Sequence, residues 1–175
     1  MGAEAGWVEI AAGSPEVPTL REAYRLAMRR VAASVTVITA GYADRLHGMT
    51  ATAVTSVSAD PPTLLIVVNR SAKSHEFVSR SGRFAVNILD ESQVEVARRF
   101  ALDVAEKFAG LAYTLDAEGR PMIDGAVASF ACISTATLEV ATHTVFVGRV
   151  ERATCRDGQP LVYFDGRYAK VGGPS

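Results

Sequence analysis

Over residues 20–30 the apolar side chains Leu20, Tyr24, Ala27 and Met28 recur at helical spacing, which predicts an amphipathic helix. Thr19 and Glu22 frame its start as a capping box. Over 33–40 (ASVTVITA) the period changes to β-branched alternation, a strand, and 41–48 reads as its turn. Residues 49–58 (MTATAVTSVS) predict one extended ribbon with almost no bulk. Thr50, Thr52, Ser56 and Ser58 share one face with Val54, and Ala51, Ala53, Thr55 and Val57 share the other. Asp60-Pro61-Pro62 is a rigid stop. A continuous apolar run over 63–69 predicts a buried strand, 70–73 a loop, 74–80 a helix, 84–89 a strand and 91–101 a second amphipathic helix. Residues 102–128 read as irregular, and β patterning returns at 129–140, 144–152 and 161–163. Strands and helices do not alternate as βαβ units, so the expected fold is mainly β with peripheral helices, an antiparallel barrel.

Composition narrows the partners. With 175 residues the chain is one domain in size, expected over 19–172 behind a loose lead-in at 1–18. An apolar fraction of 49% suits a packed core rather than a disordered chain. The formal net charge of −1 and the absence of a basic cluster argue against nucleic-acid binding. No apolar run is long enough to predict a membrane span, and residues 1–10 lack the basic-then-apolar pattern of a secretory leader. Cys132 and Cys155 form no CxxC, and with three histidines no metal-ligand spacing emerges; the expectation is two reduced thiols in a cytoplasmic protein, without a metal.

Familiar catalytic signatures are missing. There is no GxGxxG, no Walker sequence and no GxSxG, so an enzyme with these residues needs a cofactor to carry its reaction. The 49–58 ribbon suits a place where a flat molecule lies against the backbone, or equally an edge strand whose polar face meets water. Asn69-Arg70-Ser71-Ala72-Lys73-Ser74 follows a strand and opens a helix. Helix-start amides, hydroxyls and cations there suit a phosphate; the alternative is Ser71 or Ser74 as a helix cap beside solvated cations. His143, at the start of a strand, and Tyr168, after Asp165-Gly166-Arg167, each admit a functional or a structural reading.

Taken together, several stretches resemble the flavin reductase family, the FMN-binding split-barrel reductases of two-component monooxygenases. They are His47-Gly48-Met49-Thr50-Ala51-Thr52-Ala53, Thr55-Ser56-Val57-Ser58-Ala59-Asp60-Pro61-Pro62, the serine loop, Gly82-Arg83-Phe84-Ala85-Val86-Asn87, His143-Thr144-Val145-Phe146-Val147-Gly148 and Asp165-Gly166-Arg167-Tyr168. The resemblance implies a six-stranded antiparallel split β-barrel, a homodimer, and NAD(P)H-dependent reduction of FMN or FAD for a separate monooxygenase. By position, Met49, Thr50, Ala51, Thr52, Ala53, Ser56, Val57 and Ser58 would line the isoalloxazine. Asn69, Ser71, Lys73 and Ser74 would hold the ribityl chain and phosphate, with Phe100 as a further flavin-side residue. His143 would be the catalytic residue on the open face where NADH or NADPH stacks, with Tyr168 beside it. Many members carry Gly-Asp before that histidine; here it is Ala141-Thr142. Two other readings stay open: a split-barrel flavoprotein that does not reduce free flavin, and a ligand-free barrel serving as an interaction module.

Overall fold

The computed structural model describes residues 19–172; the lead-in expected at 1–18 lies outside them. Helix α1 (Leu20–Met28) starts at the expected capping box: the Thr19 amide donates to Glu22 Oε2 at 2.8 Å and the Glu22 amide to Thr19 Oγ1 at 3.4 Å. No α1 residue is buried, so its apolar stripe faces out. Residues 33–40 form two strands. Strand β1 (Ala33–Ser34) pairs in a small three-stranded sheet, and β2 (Thr36–Tyr42) enters the main sheet. Val35 is the crossing point: its amide donates to Leu161 O and its carbonyl accepts from Leu89 N.

The expected turn over 41–48 is instead mostly strand. β2 continues to Tyr42, and β3 (Arg45–Ala51) begins after only two intervening residues. Ala43 and Asp44 make the turn, both with positive φ (50° and 58°), as a two-residue hairpin requires. Gly48 serves close approach rather than turning, since a Cβ there would stand 2.7 Å from Phe100 Cε1. The 49–58 ribbon is likewise broken, at Thr52-Ala53, between β3 and β4 (Val54–Ala59). Strand β4 carries a bulge at Val57 and turns through the cis Asp60-Pro61 bond into β5 (Pro62–Asn69).

Helix α2 (Lys73–Ser81), β6 (Arg83–Ile88) and α3 (Val94–Ala101) follow. The stretch read as irregular contains a two-stranded ribbon, β7 (Tyr113–Leu115) with β8 (Pro121–Ile123). Long strands β9 (Ala128–Val140) and β10 (His143–Cys155) then form a hairpin, and β11 (Val162–Phe164) and β12 (Arg167–Ala169) complete the small sheet.

The main sheet is antiparallel in every pairing and has seven strands rather than six, ordered β3-β2-β6-β9-β10-β5-β4. Its two edges, β3 and β4, are joined by only two residues. Laid flat, they would be roughly 29 Å apart at the usual strand spacing. Three Cα–Cα steps from Ala51 to Val54 reach at most about 11 Å. The sheet therefore curls until its edges approach, without β3 and β4 pairing. Inside the curl Ile38, Ile66, Val68, Phe84, Val86 and Phe146 pack with Phe77 and Val78 of α2. On the outer side Val35, Val37 and Leu89 pack with Ala97 and Phe100 of α3. Strand β2 supplies both cores because its alternate residues point to opposite faces.

Candidate functional site

Curling leaves a seam between two edge strands. The outward backbone groups of β3 and β4 have no strand partner there, and small residues surround them. Met49 and Ala51 pack against the inner core. Thr50 points the other way, its hydroxyl donating to the Ala97 carbonyl of α3 at 2.6 Å. Thr52 and Ala53 are exposed at the link, with Ala53 O accepting from Val67 N of β5 at 3.1 Å. Ser56 and Ser58 border a cleft of about 610 Å³ together with Thr52 and Val54. Val57 stands out from the bulge, and the Ser58 hydroxyl is engaged with Asp60 O at 3.0 Å. Strand β5 carries this edge towards the serine loop, about 20 Å from Thr63 to Asn69 at the usual strand rise.

At that end the structure brings Asn69 and His143 opposite each other in the β5–β10 register. Asn69 Oδ1 accepts from both the amide and the hydroxyl of Ser71, each at 2.9 Å. Neither serine caps α2. Its N-cap is Ala72, with no side-chain bond, which leaves first-turn amides free of a side-chain acceptor. Ser74 is 3% exposed and lies 2.9 Å from His47 Nδ1 through its hydroxyl. Lys73 is exposed and forms no ion pair among the described residues. Arg70 does not join it: its guanidinium bonds Glu139 and the Ala141 carbonyl.

Residues 28–172 match the family model described as "Flavin reductase like domain". The chain belongs to that family. It is 40% identical, over 86% of its length and 88% of the relative's, to "FMN reductase (NADH) RutF" of Stutzerimonas stutzeri. It is 38% identical to the reductase component of "FADH(2)-dependent resorcinol hydroxylase" of Rhizobium sp., covering 83% of this chain and 84% of that one. Among solved structures, Streptomyces globisporus C-1027 "NADH:FAD oxidoreductase SgcE6 in complex with NAD and FAD fragments" superposes with a TM-score of 0.84 at 33% identity, over 91% of this chain and 98% of that one.

Two further residues of this flavin reductase-like domain stand at the loop: Lys107, which the sequence did not mark, and His47, which opens one of the motifs that carry the resemblance. Lys107 is only 6% exposed, yet no carboxylate lies within ion-pairing reach among the described residues. Its Nζ donates to Gly48 O at 3.0 Å and to Phe100 O at 3.2 Å, and burial lowers its pKa. His47 stacks on Phe77 with ring centroids 5.1 Å apart. Burial, then the charges of Lys107 and Lys73, lower its pKa to about 4, so it is neutral at pH 7. Lys107 carries no local signal: it is one lysine in an irregular stretch, placed by the chain's return to β3. Two expected site residues have their rings in the outer core. Phe100 is 1% exposed and packs edge-to-face on Phe108 with centroids 5.1 Å apart, so its ring serves the outer core. Tyr168 is half-buried against the same core, its ring 5.6 Å from that of Tyr163.

Proposed function

We propose that this protein is an NADH-dependent flavin reductase that supplies reduced FMN or FAD to a separate monooxygenase component. The single observation that carries the reading is the pairing of His143 with Asn69, which sets an imidazole-bearing strand end opposite an anion-type corner near the β3–β4 seam. The donor set fits a flavin. Bulk-free edge strands admit a planar ring, and unpartnered edge amides of β3 and β4 would hydrogen-bond its polar rim. First-turn amides of α2, with Lys73 and buried Lys107, would hold the phosphate. Bound there, a flavin would supply two-electron chemistry, with a dihydronicotinamide as the hydride donor.

The protein's own work is alignment and electrostatics. Met49, Thr50, Ala51, Thr52, Ala53, Ser56, Val57 and Ser58 shape the slot. Asn69, Ser71, Lys73 and Ser74 form the tail corner, where Ser74 acts through its backbone because its hydroxyl is engaged with His47. His143 positions the nicotinamide on the open face. Relatives named as NADH-dependent enzymes favour NADH over NADPH, and both FMN and FAD occur in relatives' names. The curled seven-stranded sheet serves as the family's split barrel over a single domain, residues 19–172. The outward apolar side of α1 supports a homodimer, and relatives that are reductase components support the oxygenase partner. A cytoplasmic location agrees with two free thiols.

Mixing the protein with NADH and FMN and following NADH absorbance tests the activity directly. His143→Ala should slow single-turnover flavin reduction about 10- to 100-fold, roughly 1.4–2.7 kcal/mol of barrier. Reduction at the wild-type rate in that variant would remove His143 from the mechanism.

A further inference from the structure

Arg70 belongs to the serine loop in sequence but reaches out of it in space. Its Nη1 donates to Glu139 Oε2 at 2.7 Å, its Nη2 to Ala141 O at 2.5 Å, and its backbone amide to Thr142 O at 3.0 Å. Ala141 holds a φ of +49°, a left-handed conformation that a residue with a Cβ adopts at a cost. The next residue, Thr142, places Oγ1 2.9 Å from His143 Nδ1. One loop residue thus contacts the β9 strand end and both turn residues directly before the histidine.

We propose that Arg70 is a positioning residue for His143. It straps the Ala141-Thr142 turn to the loop, so that the Thr142 hydroxyl holds the imidazole through Nδ1. The inference rests on the His143 role given under Proposed function. Geometry separates it from two simpler roles. The guanidinium is turned towards the β9–β10 turn, so phosphate binding falls to Lys73, Lys107 and the α2 amides. The Arg70–Glu139 pair is 44% and 70% exposed, and pairs of that kind contribute about 0–1 kcal/mol to stability, so the strap matters for placement rather than for folding. Arginine suits the task because its planar guanidinium presents separate donors to a carboxylate and a carbonyl in a rigid fork, whereas a lysine offers a single point on a flexible stem.

Arg70→Met, Arg70→Lys, Thr142→Val and Thr142→Ser, each in the full chain, test this by single-turnover reduction of FMN with NADH. Binding of FMN and of riboflavin and the melting temperature are measured in parallel. Arg70→Met, Arg70→Lys and Thr142→Val should each slow reduction about 5- to 20-fold, because misplacement of a reacting group is costly even when binding is intact. FMN affinity should stay within about twofold, since no phosphate contact is lost. Thr142→Ser should keep the wild-type rate because it keeps the hydroxyl. In the His143→Ala background, Arg70→Met should add no further slowing, the signature of action through that ring. The proposal is overturned if Arg70→Met weakens FMN but not riboflavin, or slows the His143→Ala enzyme by the same factor. A slow His143→Ala enzyme with an unimpaired Arg70→Met enzyme overturns the strap alone. A wild-type rate in His143→Ala overturns both the strap and the role on which it rests. If Arg70→Met does not fold, Thr142→Val and Thr142→Ser decide by the same rate comparison.

Discussion

His47 shows how one side chain links the fold to its surroundings. It lies between Phe77 and Ser74, near two lysines, and its pKa falls from 6.5 to about 4. In the unfolded chain it would protonate near 6.5, so between these values the unfolded state binds more protons. Stability contributed by the neutral ring is therefore present above pH 6.5 and is lost as pH falls towards 4. Urea melts of His47→Asn against wild type check this: the variant should show a flatter stability profile across that window. Lys73→Gln belongs to the same scale. It should weaken FMN by about 1.5–3 kcal/mol, the worth of a hydrogen bond to a charged group, and leave riboflavin nearly unchanged. Equal weakening of both ligands would contradict a phosphate contact. At this scale the sequence was readable where chemistry is local. Thr19 and Glu22 form their capping box because both partners lie within one turn. Ser71 and Ser74 looked like caps for the same reason, but Asn69 takes one and His47, 27 positions away, takes the other. Lys107 was illegible because its two acceptors are set by tertiary approach.

Among the elements, the β6–β9–β10 face depends on Gly148. A Cβ there would overlap the ring of fully buried Phe84 and stand 3.1 Å from Cys132 Cβ. Gly148→Ala should cost about 1–3 kcal/mol by overpacking, read as a lower urea midpoint with an unchanged m-value. A neutral result would mean that β10 shifts to make room. The apolar run of β5 and the β patterning of β6, β9 and β10 predicted those strands well, because burial on a sheet leaves a pattern that a sequence displays. The β2–β3 hairpin escaped because Ala43 and Asp44 adopt positive φ without the glycine or asparagine that usually marks such a turn. The 49–58 ribbon kept its extended character but not its unity. Alternation does not reveal which strand is an edge, and the two halves of this ribbon lie at opposite edges of one sheet. The β7–β8 ribbon was missed because three-residue strands are too short for a period to emerge.

For the molecule as a whole, the curl of the sheet is what brings small residues together along one seam. Thr52-Ala53 joins the edges, and the seam beside that link runs along β5 to the corner where Asn69 meets His143. The mainly β class and the redox reading followed from patterning and from motif resemblance. The seven-strand count and the packing of Phe100 and Tyr168 into the outer core needed the three-dimensional chain path. Hydrogen exchange with and without FMN is the most direct test of the slot, because it reports backbone amides one segment at a time. Added FMN should slow exchange in residues 49–58 and in the 69–75 segment together, while riboflavin should protect the first and leave the second nearly unchanged. Protection centred instead on the groove between α1 and Tyr163, with both of those segments exchanging as before, would contradict the account.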